Sequence, residues 1–362
     1  MLSTLLTFTW NMPQGIEIGA FTLRFYSLLF ALGFFVGYLI MKRIFQKENI
    51  PIEWLDSLLT YVVIATIIGA RLGHVFFYEW AYYSQHPGEI LKVWEGGLAS
   101  HGAAIAIILA LIIFSKRVSK KSVLWVLDRA VITIALAGCF IRLGNMANSE
   151  IYGAKANSAI ETVYLKPAQN RIMNTFQGVE DVSFTKTDER FETEGINYPV
   201  YTMAVTFVPN AIEEYAKRSV DEQIPNYLRN MHIDNQTVLP KPDATSELIN
   251  VNNAIVAQVQ VLGVPRYPTQ VIEALGYLLI FILLFTLFKK TNIRFAQGRI
   301  FGLFLLTVFG FRFFVEFYKA NQVAFESDLQ FNMGQNLSIP LVALGLFFIF
   351  KPNHVKPETV KK

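Results

Sequence analysis

Seven stretches of the chain are apolar for long enough to enter a bilayer: about 21–40, 55–78, 98–114, 123–141, 269–288, 300–317 and 337–350. A spanning helix needs ~20 mostly apolar residues, and only the last stretch is clearly short of that. The fourth and fifth are separated by a long polar region, 154–265. Within it, 198–209 and 254–263 alternate apolar and polar residues as strands do. Residues 210–231 place Ile212, Tyr215 and Val220 at helical spacing behind Asn210 as an N-cap, with Pro225 expected to break the helix. The pattern predicts an all-α polytopic membrane protein of about seven transmembrane helices carrying a small α+β external insert. The division expected is 1–153 (spans one to four), 154–265 (an external, periplasmic head) and 266–362 (spans five to seven and a tail).

Basic residues orient the spans. Lys42, Arg43 and Lys47 follow the first, Lys116, Arg117, Lys120 and Lys121 the third, Lys289, Lys290 and Arg294 the fifth, and Lys351, Lys356, Lys361 and Lys362 the seventh. The connections after the second and sixth are poor in Lys and Arg. By the positive-inside rule the N-terminus is external and the C-terminus cytoplasmic, with the insert outside. The first 19 residues have no basic run ahead of an apolar core, so a cleavable signal peptide is not expected.

Composition agrees: 53% of residues are hydrophobic, 17% charged and 31 are Phe, which excludes an ordinary soluble globular protein. The one cysteine, Cys139, lies in an apolar run and reads as a small buried hydrophobe. No Cys/His spacing suggests a metal site, and no organic cofactor or nucleic-acid partner is implied.

With the orientation set, the polar residues of the spans gather toward the outer side. They are Arg24 and Tyr26, Arg71 and His74, His101, Arg142, Asn145 and Glu150, Arg266, Gln270 and Glu273, Arg312 and Glu316, and Gln335. Asp128 and Arg129 are the exception and read as a local pair or snorkelling side chains. Arg312 and Glu316, four residues apart, share a helix face. Ionisable groups near membrane depth usually face a cavity or substrate. Arginine forks suit phosphate, which makes Arg142 and Arg312, with Arg71 and Arg266 as further cations, candidates for a phospholipid headgroup. His101 is placed to act as a general base. No serine sits in a nucleophile elbow and no cysteine in the site, which favours direct transfer from lipid to acceptor. A membrane transporter and a non-catalytic phospholipid-binding scaffold are the alternatives. The first needs polar groups through the midplane, and the second leaves His101 idle.

The segment Arg142-Leu-Gly-Asn-Met-Ala-Asn-Ser-Glu-Ile-Tyr-Gly153 resembles the signature of the prolipoprotein diacylglyceryl transferases, a bacterial lipoprotein-maturation family. His101-Gly102, Arg266-Tyr-Pro-Thr-Gln270 with Glu273, Arg312-Phe-Phe-Val-Glu316 and Gly334-Gln-Asn-Leu-Ser-Ile-Pro340 resemble its other elements in order. Ala103, Tyr267 and Ile272 depart from the family pattern of Gly, His and Tyr, which moves weight to His101. The resemblance implies an enzyme of the bacterial inner membrane whose active site faces the periplasmic leaflet. Its partners are phosphatidylglycerol, membrane lipids and prolipoprotein signal peptides with a lipobox cysteine. The diacylglyceryl group moves to that thiol, giving a thioether and glycerol phosphate. His101, Arg142, Glu150 and Arg312 are the expected catalytic residues. Arg142, Asn145, Tyr26, Arg312, Glu316 and Gly153 are the expected phosphatidylglycerol contacts, with Gly153 allowing a close turn.

Overall fold

The computed structural model describes residues 6–19, 21–93, 96–97, 99–232, 235–251, 253–290, 297–320 and 330–351. Position 98 and the basic residues Arg294, Lys356, Lys361 and Lys362 therefore lie outside the described residues. In chain order the elements are strands β1 (Leu6–Trp10), β2 (Gly15–Ile18) and β3 (Phe21–Arg24), then helices α1 (Phe25–Lys47), α2 (Ile52–Phe77), α3 (Trp80–Tyr83), α4 (Ser100–Phe114) and α5 (Val123–Ala147). The insert contributes β4 (Ile160–Tyr164), α6 (Lys166–Thr175), β5 (Val179–Thr193), β6 (Ile196–Phe207), α7 (Glu213–Arg218), α8 (Ile224–Asn230), β7 (Val238–Pro240), β8 (Glu247–Val251) and β9 (Ala254–Gly263). Helices α9 (Thr269–Lys290), α10 (Arg299–Val315) and α11 (Met333–Phe350) complete the chain.

Among the described residues, seven helices are long and apolar enough to cross a membrane, and they fall on the seven predicted stretches. Their limits differ in two places that matter. The first helix begins at Phe25, because Phe21–Arg24 pairs with Gly15–Ile18 as an antiparallel hairpin. The fourth runs on to Ala147, so Arg142 and Asn145 stand on the helix rather than beyond it. Polar side chains do not end a helix whose backbone can continue its hydrogen-bond ladder; the stop comes from Ser149 and Ile151, both at positive φ.

The chain divides into two compact units. One holds residues up to 30, 139–276 and 311–338; the other holds 31–138, 277–310 and the chain from 339. In the second unit, α2 and α4 meet through glycines: a Cβ at Gly73 would lie 2.7 Å from the Cα of Gly102. Small residues of this kind let helix backbones approach closely. Asp128 and Arg129 also belong to this unit, and the structure corrects their expected role. Asp128 accepts hydrogen bonds from the amides of Gly298 (2.6 Å) and Phe301 (2.9 Å), capping the start of α10. Arg129 is buried, pairs with Glu48 at 2.7 Å and lies over the Trp125 ring. Each joins separate segments of the unit rather than its sequence neighbour or a headgroup.

In the first unit the insert forms an antiparallel sheet in the order β5-β6-β9-β7, with β8 also paired to β9. Strands β6 and β9 alternate buried and accessible positions over much of their length. A two-residue turn at Glu194 and Gly195, both at positive φ, joins β5 to β6. The buried face packs Val163, Leu165, Ile172, Val182, Met203 and Val205 with Ala216, Val220, Ile224 and Leu228. Helix 210–231 is built differently from expectation. Asn210 stands at positive φ and the helix begins only at Glu213. Pro225 does not break it, because a π-helical turn at Ser219–Gln223 precedes it and α8 carries it in its first turn. Alongside the insert, β1 pairs in parallel with β4.

Candidate active site

The last turns of α5 place Arg142 and Asn145 three residues apart on one face. Arg142 Nη1 donates to Asn145 Oδ1 at 3.2 Å. Beyond Ala147 the backbone folds back on itself, and the Glu150 amide donates to the Asn145 carbonyl at 3.0 Å. That return brings Glu150 Oε1 to Asn145 Nδ2 (2.9 Å) and Asn148 Nδ2 (3.3 Å). The loop is held from behind by Gln270, whose Nε2 donates to the Glu150 carbonyl at 2.9 Å. Tyr164 in turn donates to Gln270 Oε1 at 2.9 Å. Burial pushes the Tyr164 phenol well above its ordinary range, so it stays a donor.

Arg142 also pairs with Glu273 of α9, Nε to Oε2 at 3.0 Å. The other oxygen of Glu273 accepts from Lys319 Nζ at 3.1 Å, and Lys319 reaches Glu316 Oε1 at 2.9 Å. Glu316 Oε1 meets Arg312 Nε at 3.2 Å, while its Oε2 accepts from Asn332 at 3.2 Å. Five charges thus alternate in a line: Arg142, Glu273, Lys319, Glu316, Arg312. The three inner groups are closed to solvent, whereas the arginine side chains at the ends keep 11% and 32% of their surface. Burial pushes the Lys319 ammonium below the usual lysine range and nearby Arg142 acts in the same direction; Glu273 and Glu316 oppose both.

Tyr26, half-buried at the start of α1, lies against Gly144 so closely that a Cβ there would be 2.8 Å from its ring. Gly153 is placed differently from the turn expected of it. It is clamped between two backbone segments, and an added Cβ would lie 2.5 Å from the Tyr267 carbonyl oxygen and 2.8 Å from that of Tyr318. Its amide donates to Tyr267 O at 3.0 Å. Tyr26, Arg142, Asn145, Glu150, Gly153, Arg312 and Glu316 all belong to the first compact unit.

His101 belongs to the second unit, one residue before the glycine that α2 packs against. Its imidazole is exposed, with Phe77 and Tyr78 as ring neighbours at 5.0 and 5.6 Å. The further cations proposed from sequence have other employment. Arg71 is buried and spends its guanidinium on the carbonyls of Glu89, Ile90 and Gly96. Arg266 is fully buried, donates to the carbonyls of Gly153 (3.0 Å) and Gln236 (2.7 Å), and lies over Tyr152. Both hold loops together. Lys319 escaped the sequence reading altogether, although a lysine closely following an apolar span at its basic-poor end was a signal.

Seven apolar helices and a line of buried charges ending in two partly exposed arginines define a polytopic membrane protein with a built charge cluster. Residues 13–351 match the prolipoprotein diacylglyceryl transferase family, and the chain belongs to it. It is 35% identical over 338 residues to the phosphatidylglycerol–prolipoprotein diacylglyceryl transferase of Tolumonas auensis, covering 93% of this chain and 94% of that protein. The proteins of the same description from Chloroherpeton thalassium and Porphyromonas gingivalis are 31% and 33% identical, over 94% and 95% of this chain and 93% and 94% of their own.

Proposed function

We propose that this chain is a transferase that moves the diacylglyceryl group of phosphatidylglycerol to prolipoproteins, acting in lipoprotein maturation. Family membership across nearly the whole chain supports the reaction. The observation that carries the site is the charge line with Arg142 and Arg312 at its accessible ends. Because the two forks are already oriented by buried carboxylates, an anionic headgroup meets donors that need little reorganisation.

In this reading the acceptor is the thiol of a lipobox cysteine. An unperturbed thiol is only a few per cent ionised near neutral pH, so its deprotonation needs help. His101 takes that proton, and the thiolate attacks the glyceryl carbon bonded to the phosphate oxygen. The carbon–sulfur bond forms as the carbon–oxygen bond breaks. Its electron pair stays with the phosphate, and glycerol phosphate leaves. Arg142 and Arg312 stabilise the charge arriving on that oxygen. Asn145 and Glu150 orient Arg142, Glu316 orients Arg312, and Tyr26 offers a hydroxyl to the headgroup. Gly153 contributes by the close backbone approach it permits. The enzyme lies in the bacterial inner membrane with its site toward the periplasmic leaflet, consistent with the placement of Lys42, Arg43, Lys116 and Arg117 at the opposite ends of their helices.

The test is a transfer assay with purified protein in detergent, phosphatidylglycerol and a lipobox peptide, read by mass spectrometry. The diacylglyceryl mass should appear on the cysteine peptide and not on its serine counterpart. No added mass from folded protein would overturn the proposal.

A further inference from the structure

Lys319 is an unusual group for its surroundings. It follows the short 3-10 turn Glu316–Tyr318, and its side chain is 1% exposed. An ammonium closed off to this degree is costly unless it is paired. Here it is paired on both sides, with Glu273 Oε1 at 3.1 Å and Glu316 Oε1 at 2.9 Å. Each of those carboxylates also holds an arginine, Arg142 for Glu273 and Arg312 for Glu316. The backbone of Lys319 bridges to Gly153, and the Ala320 amide reaches the Tyr152 carbonyl, so the residue is fixed at its root as well as its tip.

We infer that Lys319 is a positioning residue of the headgroup site: its ammonium clasps Glu273 and Glu316 together and so sets the spacing and availability of Arg142 and Arg312. The inference rests on the proposal that these two arginines receive the phosphate.

Charge accounting supports it. Arg142, Lys319 and Arg312 are balanced by Glu150, Glu273 and Glu316. Without the lysine charge, two buried carboxylates lose their shared partner and lean more heavily on the arginines. The arginines are then more fully neutralised, and the incoming phosphate competes with carboxylates for the same donors. Geometry changes in the same direction, since Lys319 bridges Glu273 and Glu316 directly.

Lys319 is faced by Arg142 from α5, Glu273 from α9 and Glu316 from its own segment. Arg312 is one partner removed through Glu316, and Glu150 is farther off, reached through Asn145 and Arg142. Burial and Arg142 favour the neutral amine; the carboxylates oppose them. The lysine charge is present below its pKa in the folded protein and is lost as pH rises through it. Transfer should therefore fall on the alkaline side as this charge disappears. An arginine in its place stays charged throughout.

The experiment compares Lys319→Met, Lys319→Arg and Arg142→Gln with the parent, each checked for monodispersity and thermal unfolding. KM is measured separately for phosphatidylglycerol and for the lipobox peptide. Lys319→Met should raise the phosphatidylglycerol KM about tenfold or more, the scale of losing one charge-assisted interaction, and leave the peptide KM unchanged. A merely structural defect would lower the active fraction without changing either KM, and that outcome would overturn the inference. Lys319→Arg should restore the phosphatidylglycerol KM and move the alkaline limb of the pH profile upward. If Lys319→Met does not fold, an unmoved limb in Lys319→Arg overturns the inference by itself. The Arg142→Gln arm separates the two levels. Normal kinetics there would remove the headgroup reading, whereas impaired Arg142→Gln beside unaffected Lys319 variants would remove only the role given to Lys319.

Discussion

Arg142 Nε lies 3.0 Å from Glu273 Oε2, tying the signature end of α5 to the first turns of α9 across a long stretch of sequence. Glu273 is wholly buried, so the pair is formed where water screens little. The consequence is directional. The carboxylate fixes one edge of the guanidinium, and Asn145 fixes an Nη nitrogen. The fork is aimed before any ligand arrives, which is the condition for strong electrostatic stabilisation in a transition state.

Replacing Glu273 with Gln keeps its shape and removes its charge, leaving both Arg142 and Lys319 short of a partner. Breaking one side of a buried ion pair costs about 3–5 kcal/mol. The variant should unfold at a clearly lower temperature in detergent, and its remaining folded fraction should transfer at least about tenfold more slowly. Thermal unfolding by tryptophan fluorescence and the mass-spectrometric assay check the two halves. An unchanged melting temperature would argue that the pair is not formed in the membrane protein.

Gly153 is the residue at which spacing alone is at stake. Two of the three close contacts of an added Cβ are carbonyl oxygens, of Tyr267 and Tyr318, and the third is the Tyr267 Cβ, which moves only with its backbone. Gly153→Ala should cost roughly 1–3 kcal/mol of stability by overpacking. Because the same backbone carries Lys319 on one side and the Glu150 loop on the other, transfer should fall as well. Retained stability and activity together would show that the segment relaxes without consequence.

These contacts mark where sequence reasoning reached and where it stopped. The Arg312–Glu316 pair was legible from four-residue spacing, and β9 from the alternation of Ala254–Gly263, because each depends on local periodicity. Strand β5 left no such trace: most of its fifteen residues are at least partly exposed and polar, so no apolar face alternates along it. Among the strands of the first twenty-four residues, β1 was missed because its partner β4 is distant. Strands β2 and β3 were missed because a hairpin of four-residue strands is too short to show an alternation, with β3 absorbed into the apolar run that opens the first span. Arg71 and Arg266 were over-read for a related reason. An arginine that staples loop carbonyls and one that receives a phosphate look alike in sequence, and only burial and partners separate them.

Arg266 offers a direct check of that separation. Its guanidinium holds the carbonyls of Gly153 and Gln236, and charged hydrogen bonds of this sort contribute about 1.5–3 kcal/mol each. Arg266→Met should therefore destabilise the protein by about 3 kcal/mol or more. The phosphatidylglycerol KM of the folded fraction should stay near that of the parent. A raised KM at unchanged stability would return Arg266 to the headgroup site.

Asp128 makes the opposite contrast, being a buried carboxylate in the other compact unit with a capping role. Asp128→Ala removes the acceptor for two amides at the start of α10 and should cost about 0.5–2 kcal/mol. Neither KM should change. Thermal unfolding with a parallel kinetic run tests this, and a specific loss of phosphatidylglycerol affinity would contradict a capping role.

His101 separates catalysis from binding. Its imidazole is exposed and bordered by Phe77 and Tyr78, while the proposed headgroup donors are Arg142 and Arg312. If it takes the thiol proton, His101→Ala should lower the rate by about 10²–10⁴-fold, the usual contribution of a general base. Phosphatidylglycerol should still raise the melting temperature of the variant, because ligand that binds the folded state stabilises it whether or not chemistry follows. The loss should also shrink as pH rises toward the thiol pKa, near 8.5 when unperturbed, since hydroxide and solvent then supply the thiolate without the imidazole. Measuring transfer by parent and variant across that range, beside lipid-dependent melting, gives both readouts. A variant that loses lipid-dependent stabilisation along with activity would make His101 a binding residue. A deficit that stays constant with pH would exclude it as the base.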